Sequence, residues 1–168
     1  KRELNPSTVI TVEEGASAEL EMVQIKGVDD TIRSTVAHIH EKGSLKIIER
    51  LLTQGEQKAE SDIQIFLEGI GGTAQVLSRA VGQGNSFQLF RAALIGKDAC
   101  WGHVECDAIL MDNARIRSIP ELQAEKADAV LTHEAAIGKI AGEQLVKLMS
   151  LGLTEEAAVN TILEGFLK

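Results

Sequence analysis

The side chains best suited to hold a soft metal lie in two short segments near the end of the chain. The first, His103-Val104-Glu105-Cys106-Asp107, contains one of only two cysteines, and the second is Thr132-His133-Glu134-Ala135. Thiolate, imidazole and carboxylate groups are the usual ligands of iron, zinc and iron–sulfur clusters. Cys106, His133 and Glu134 are therefore candidate ligands, and a glutamate can also move protons.

Strand alternation leaves a second interpretation open for each of these residues. Cys106 is in phase with Val104 and Ala108, which predicts an inward thiol that only packs in a core, as free cysteines often do. His133 and Glu134 are sequence neighbours, so on a regular strand they face opposite ways. They bind one metal together only where the backbone is irregular. The alternative is a turn leading into a helix, with Glu134 in solvent.

No other motif indicates a reaction. Cys100 forms no CxxC pair, and His38 and His40 lie one strand step apart without an evident third ligand. The glycine-rich stretches at residues 69–73 and 82–84 do not match a phosphate-binding loop. Taken alone, the residues indicate an acidic, β-rich protein with helices at the end of the chain.

Composition excludes several classes of partner. The net charge of −8 over 168 residues argues against nucleic acid and an anionic membrane surface. No apolar run approaches the roughly 18–20 residues needed to span a bilayer. The aromatic content of 3%, without tyrosine, argues against binding carbohydrate or single strands by stacking. Two cysteines favour a reducing, cytoplasmic setting. The start at Lys1, without methionine, indicates a processed or truncated chain.

Apolar residues alternate with polar ones from residue 8 to about 119, as in Ile63, Ile65 and Leu67. Glycine, Asn and Asp turns separate strands whose centres recur about every 12–13 residues, a spacing typical of sandwiches, barrels and solenoids. No helical segment lies between strands, so βαβ units are not expected. The long, monotonous run and the absence of proline between Pro6 and Pro120 favour a solenoid. No residue-level repeat is visible.

The chain divides at residue 122, into a β core (1–122) and a connection with a helical region (123–168). The connection includes a short predicted strand, Ala129 to Leu131. A helix is predicted from Ala141 to Leu151, and Thr154 is the expected N-cap of a second helix.

An ordered set of motifs over residues 103–167 resembles the SufB/SufD family, the scaffold proteins of iron–sulfur cluster assembly. Residues Val12 to Ala16 also resemble the point where that family's repeat region begins. Residues 30–100 are similar to the family only in their general character. The motifs are Glu105-Cys106-Asp107-Ala108, Pro120-Glu121-Leu122, His133-Glu134-Ala135, Gly138-Lys139-Ile140, Glu143-Gln144-Leu145, Gly152-Leu153-Thr154-Glu155-Glu156-Ala157 and Gly165-Phe166.

The resemblance implies a mainly β fold, a right-handed parallel β-helix followed by a short C-terminal helical region. It implies a scaffold rather than an enzyme, which holds a transient iron–sulfur cluster of iron and sulfide at a dimer interface. Cys106 matches the cysteine implicated in cluster assembly, and Glu134 and His133 match its companions. SufD members typically have His-Gly at this point, so His133-Glu134 is more similar to SufB.

The resemblance also implies partners. A SufC-type ABC ATPase is expected on the C-terminal helices, with Gln144, Leu145, Leu148, Ile162 and Phe166 as contact residues. A SufB- or SufD-like mate is expected to form a homodimer or heterodimer. Two alternatives stay open: a SufD-like structural subunit that binds no cluster, and a β-helix enzyme acting on polysaccharide. The scarcity of aromatic residues counts against the enzyme.

Overall fold

The computed structural model describes residues 2–25 and 27–168. Lys1, with which the predicted core begins, and Lys26 lie outside the described residues. Within these described residues, eleven strands are followed by two helices. Their bounds are β1 (Glu3–Leu4), β2 (Ser7–Val12), β3 (Ser17–Gln24), β4 (Asp30–Ile39), β5 (Ser44–Thr53), β6 (Lys58–Leu67), β7 (Thr73–Gly82), β8 (Phe87–Gly96), β9 (Trp101–Leu110), β10 (Arg115–Ala124), β11 (Val130–Gly138), α1 (Gly142–Ser150) and α2 (Glu155–Phe166).

The strands wind into a parallel β-solenoid of about five turns, which confirms the predicted fold class. Each coil gives one strand to each of two sheets, except that the first coil gives two short strands, β1 and β2, to the same sheet. Sheet A contains β1, β2, β4, β6, β8 and β10, and sheet B contains β3, β5, β7, β9 and β11. Asp30 aligns with Lys58, Lys58 with Phe87 and Phe87 with Arg115, so these coils take 28 or 29 residues.

The repeat is one of backbone conformation rather than of residue type. At one corner of the solenoid, Gly55, Gly84 and Asp112 have φ angles of 60°, 66° and 54°. The amide of Asn85 donates to the carbonyl of Gly55 at 2.9 Å, and the amide of Asn113 donates to that of Gly84 at the same distance. Because different residue types adopt the same left-handed turn, the repeat is hidden in the sequence.

The space between the two sheets, here called the lumen, has an aliphatic half and a polar half. The aliphatic half contains the largest buried apolar side chains, among them Ile39, Ile47, Ile63 and Val104. The polar half contains a charge that is 1% exposed, Glu49.

Three polar side chains surround the carboxylate of Glu49. It accepts hydrogen bonds from the hydroxyls of Ser61 at 2.6 Å and Ser78 at 3.3 Å, and Arg33 lies 3.6 Å away. Burial raises the pKa of Glu49, against the opposing effects of Ser61, Arg33 and Ser78. The polar half is therefore a hydrogen-bonded network rather than a void.

The last coil, formed by β10 and β11, extends further than the sequence predicts. β10 continues through Pro120 to Ala124, and β11 runs from Val130 to Gly138 rather than ending at Leu131. Pro120 is tolerated because β10 is an edge strand, where a missing donor costs no ladder bond on the free side. Strands of the solenoid thus continue past residue 122.

The two helices agree with the predicted ones. Gly152 follows α1 with a φ of 96°, as expected of a residue that ends a helix. The Thr154 hydroxyl accepts a hydrogen bond from the amide of Ala157 at 3.2 Å, which is an N-cap. Of the described helices, neither has the length and apolar character needed to cross a membrane.

Candidate functional site

Cys106 faces the lumen from β9, in the polar half and next to the last coil. Its neighbours on the adjoining strands are Ser78 of β7 and Ala135 of β11. The thiol is 5% exposed. On the side toward the end of the solenoid, the neighbouring side chain of Cys106 on β11 is therefore only the methyl group of Ala135.

The surroundings keep this thiol protonated. Burial, the largest cause, raises the pKa of Cys106 to about 11, and the negative charges of Glu49, Asp107 and Glu105 act in the same direction. The Ser118 hydroxyl opposes them. A bound metal displaces the proton of a cysteine ligand. The thiol is therefore a poor nucleophile in this conformation, and it could bind a metal only by losing its proton.

There is little room beside the thiol in this conformation. The cavity there is about 10 Å³, with Phe90, Ser118, Ile116 and Ile137 in its lining. A single water molecule needs about 10–15 Å³, so no iron–sulfur cluster fits. Any cluster bound through Cys106 requires displacement of the last coil.

His133 also faces the lumen, from β11, where it aligns with Val104. Its Nε2 is buried and has no hydrogen-bond partner among the described residues. Burial lowers the pKa of His133, and the nearby His103 lowers it as well. A neutral imidazole with an unpartnered nitrogen is the form that binds metals. His133 and Cys106 lie on neighbouring strands, on the same side of the sheet.

Glu134 lies on the opposite face of the same wall. It aligns with Glu105 of β9 and is exposed to solvent. The strand is regular here, so the alternation that separates neighbouring side chains holds, and the predicted turn into a helix is absent. No group of three histidine, cysteine or acidic residues in the described part of the chain could hold a metal ion. Cys106 and His133 face the lumen from neighbouring strands, two residues out of register, whereas Glu134 faces the opposite side of the sheet.

Sequence reasoning missed Ser118 as a member of this site. It lies on β10 and faces Cys106 across the lumen, close enough for its hydroxyl to favour the thiolate. Its Oγ has no partner of ordinary hydrogen-bond geometry among the described residues, so the contact is loose. The available signal was its alternation with Ile116 and Pro120 on β10, since these residues share the inward face.

The outer face behind Cys106 is polar and carries His103, Glu105 and Asp107. The Nδ1 of His103 lies 2.8 Å from the Thr132 hydroxyl, and the ring stacks on that of Trp101 at a centroid distance of 6.1 Å. These contacts tie β9 to β11 on the outside of the sheet.

The last coil leaves two free strand edges. Among the described strands, β10 pairs only with β8, and β11 pairs only with β9. Three apolar side chains of this coil are exposed: Leu122 (41%), Val130 (52%) and Ile137 (44%). Unpaired edges with apolar side chains are places where another chain can continue a sheet.

The helices expose a different apolar set from the predicted contact residues. Gln144 is exposed, whereas Leu145, Leu148, Ile162 and Phe166 are half-buried. The two helices pack on each other. The largest exposed apolar side chains in this region are Val146 (67%), Met149 (42%) and Leu151 (76%).

Comparison with known proteins identifies a family and several relatives. The family described as "SUF system FeS cluster assembly, SufBD core domain" matches residues 4–166. An iron–sulfur cluster assembly SufBD family protein of Archaeoglobus fulgidus is 33% identical over 170 residues, which cover 99% of this chain and 45% of the relative. A second, from Methanothermobacter thermautotrophicus strain Winter, is 32% identical over 168 residues, covering 98% and 41%.

A third relative, from Methanothermobacter thermautotrophicus strain Delta H, is 36% identical over 126 residues, covering 73% of this chain and 31% of the relative. The chain thus spans less than half the length of these curated relatives. The match of the family to nearly every residue, including the whole solenoid and both helices, leads to one conclusion: the chain belongs to the SufBD family of iron–sulfur cluster assembly proteins.

Proposed function

We propose that the chain is a scaffold on which iron–sulfur clusters are assembled and from which they are passed on. The observation that carries this proposal is the placement of Cys106 and His133. Both face the lumen on neighbouring strands, beside the free end of the solenoid. The cluster is cargo in this account, and the chain itself catalyses no reaction.

Cys106 supplies the thiolate that first binds iron, or that takes sulfane sulfur from a donor persulfide, whose thiolate then leaves. His133 supplies a neutral nitrogen from the same side of the wall. Glu134 reaches the cargo only when β11 rotates or unpairs locally, so its contribution is smaller and depends on movement of the last coil. A ligand set with one thiolate suits a cluster that must leave, because full thiolate ligation is the arrangement of resident clusters.

The mate binds at the free edges of β10 and β11. Pairing there with a SufB- or SufD-like chain, as a homodimer or a heterodimer, places Cys106 one strand away from the interface. It also covers Leu122, Val130 and Ile137, which are exposed in the single chain. The His133-Glu134 pair makes this chain the SufB-like member.

The C-terminal helices bind a SufC-type ABC ATPase, which supplies the nucleotide hydrolysis. We expect Val146, Met149 and Leu151 to form the apolar part of this contact, because they are the exposed apolar residues of the helical region. Gln144 adds a polar contact. Leu145, Leu148, Ile162 and Phe166 support the surface from within the helical region.

Anaerobic reconstitution with iron and sulfide, followed by visible absorption, tests the proposal. We expect a cluster spectrum in the wild type, its loss in Cys106→Ser and its weakening in His133→Ala and Glu134→Ala. Cys100→Ser is the matched control, because Cys100 is also buried, at 7% exposed, and faces a different part of the lumen. Equal spectra from the wild type and Cys106→Ser would contradict the proposal.

One observation favours a second candidate, a SufD-like structural subunit that binds no cluster. The Cys106 thiol is buried, protonated and without room beside it, as a packing residue would be. Under this candidate, Cys106→Ala keeps full complex formation with the ATPase and the mate, and cluster assembly by the complex is unchanged. Lost assembly with retained complex formation excludes it.

A further inference from the structure

Two arginines hold the C-terminal end of α2 on the outer face of sheet B. The Nη2 of Arg50 donates a hydrogen bond to the carbonyl oxygen of Lys168 at 2.7 Å. The Nη1 of Arg79 donates to the carbonyl oxygen of Phe166 at 3.3 Å. Arg50 and Arg79 are register partners on β5 and β7, so they stand side by side on the sheet.

Electrostatics explains why two like charges are tolerated there. Like charges directly opposite each other on neighbouring strands destabilise a sheet. The last carbonyl groups of a helix lack partners within the helix and form the negative end of its dipole. α2 has no basic residue in its own last turn. Arg79 supplies the missing positive charge at Phe166, and Arg50, which also forms an ion pair with Glu21, bonds to Lys168, two residues beyond the helix.

The Arg79 contact lies on β7, the strand next to β9, which carries Cys106. Arg79 aligns with Asp107, the residue that follows Cys106 on β9. Phe166 lines a shallow groove with Asp107, Ala136 and Gly138, on the outer face of β9 and β11. The last turn of α2 therefore spans the outside of the same wall whose inside holds the thiol.

Few side-chain hydrogen bonds anchor the helical region to the solenoid in the described part of the chain. The helices pack mainly on each other, and α1 buries none of its residues. Among the described residues, the bonds from Arg50 and Arg79 are the two side-chain hydrogen bonds that join the helices to the strands. Leu163 of α2 is 7% exposed, and it lines an open groove of about 600 Å³ together with Leu52 of sheet B.

We propose that Arg50 and Arg79 form a latch, which holds the helix pair against the sheet and keeps the wall around Cys106 closed. When the latch opens, α2 leaves the outer face of β9 and β11, and the last coil loosens around the thiol. The role of an ATPase in pulling the latch open rests on the proposed function. The latch itself is a property of this chain alone, so it is tested without any partner.

Peptide-resolved hydrogen exchange on the whole chain provides the first test. Arg50→Gln, Arg79→Gln and the double variant are compared with Arg91→Gln, an arginine 46% exposed on the outer face of sheet A that pairs with Glu60. In the double variant we expect amides of α1 and α2 to exchange at least about tenfold faster, since two hydrogen bonds to charged groups are lost. Strands β4 to β8 should exchange as in the wild type.

Two results would overturn the latch. Helix exchange that is unchanged in the double variant means that the arginines do not hold the helices. Acceleration that is equal in the helices and in β4 to β8 means that they stabilise the solenoid as a whole instead.

Alkylation of Cys106 at constant pH provides the second test, since a purely structural anchor would not change it. Cleavage after Glu105 separates Cys106 from Cys100, so each rate is read on its own peptide. We expect Cys106 to react several-fold faster in the double variant and Cys100 to react as in the wild type. An unchanged rate at Cys106 would overturn the coupling between latch and thiol. Failure of the ATPase to bind the wild type would contradict only the proposed function.

Discussion

Inward and outward side chains alternate in the same way in the middle coils and in the last coil. The two regions differ in how far neighbouring coils bury those side chains. In β5, inward and outward residues alternate strictly between buried and half-buried. In β11, most residues are exposed, although the apolar alternation continues. Burial in a solenoid comes from the neighbouring coil, because each repeat covers the next one. The last coil therefore has the strand pattern but no further coil of the described chain to bury it. Cys106 lies on β9, where the buried coils meet this exposed one.

The difference in cover favours the last coil over the middle coils as the place for the proposed cluster site. A site between two middle coils could open only by breaking ladders on both sides. A site beside the last coil opens by displacing a coil that is paired on one side. Parts of a protein that must move are drawn from its least stable regions. Substitutions in the two regions test whether they differ in stability and in function, and the largest expected effect comes first.

The stability difference is tested by removing one isoleucine from each region. Ile63→Ala, in a middle coil at 0% exposure, should lower the free energy of unfolding by about 2–5 kcal/mol. Ile137→Ala, in the last coil at 44% exposure, should lower it by less than about 1 kcal/mol. Urea denaturation measures both losses. Equal losses would show that the last coil is as well packed as the middle.

The buried carboxylate of the middle coils should make stability depend on pH. The pKa of Glu49 is raised above its ordinary 4.5, so the folded state binds this proton more tightly than the unfolded state. This group's contribution is therefore present below pH 4.5 and is lost as pH rises through the folded pKa. Relative to Glu49→Gln, the wild type should lose unfolding free energy as pH rises from 4.5.

Exposed Glu14 is the matched control for that measurement. Glu14→Gln should follow the wild-type profile of unfolding free energy against pH. A Glu49→Gln profile parallel to the wild type would mean that Arg33, Ser61 and Ser78 fully compensate the burial of the charge.

The free edge of the last coil is tested with a charge. Val130→Lys places a lysine at the start of β11 and should weaken pairing with a mate at least about tenfold, because charged edges discourage sheet continuation. Unfolding of the single chain should change by no more than about 0.5 kcal/mol. Val9→Lys on β2, at the other end of the solenoid and 72% exposed, is the control. Sedimentation velocity distinguishes them, and equal weakening by both would contradict pairing through β11.

The smallest expected effect tests whether the helices unfold independently of the solenoid coils. Thr154→Ala removes the hydroxyl that caps α2 and should cost about 1 kcal/mol, confined to the helical region. Hydrogen exchange should accelerate in α2 and stay constant in β4 to β8. Acceleration throughout the chain would show that helices and solenoid unfold as one unit.

Much of the fold could be predicted because its signals are local. Alternation identifies strands, turn residues separate them, and Gly152 and Thr154 mark the helix ends. The full lengths of β10 and β11 were harder to predict from the sequence. Pro120 indicates the end of a strand unless that strand is known to lie on an edge, and edge position is a property of the assembled sheet.

The candidate site was predictable only in part. Alternation correctly separates Glu134 from His133 and directs Cys106 inward. Ser118 and Glu49 were missed, because their relation to Cys106 depends on which residues of different coils align. That alignment follows from coil lengths set by corner turns, and Gly84 and Asp112 adopt the same turn with unrelated side chains.

The central claim is that Cys106, at the boundary of the last coil, binds the cargo. Cluster transfer from the anaerobically reconstituted chain to an apo-ferredoxin, followed by circular dichroism, tests it most directly when Cys106→Ser and Cys100→Ser are measured together. We expect transfer from the wild type and from Cys100→Ser, and none from Cys106→Ser. Equal transfer from both serine variants would contradict it.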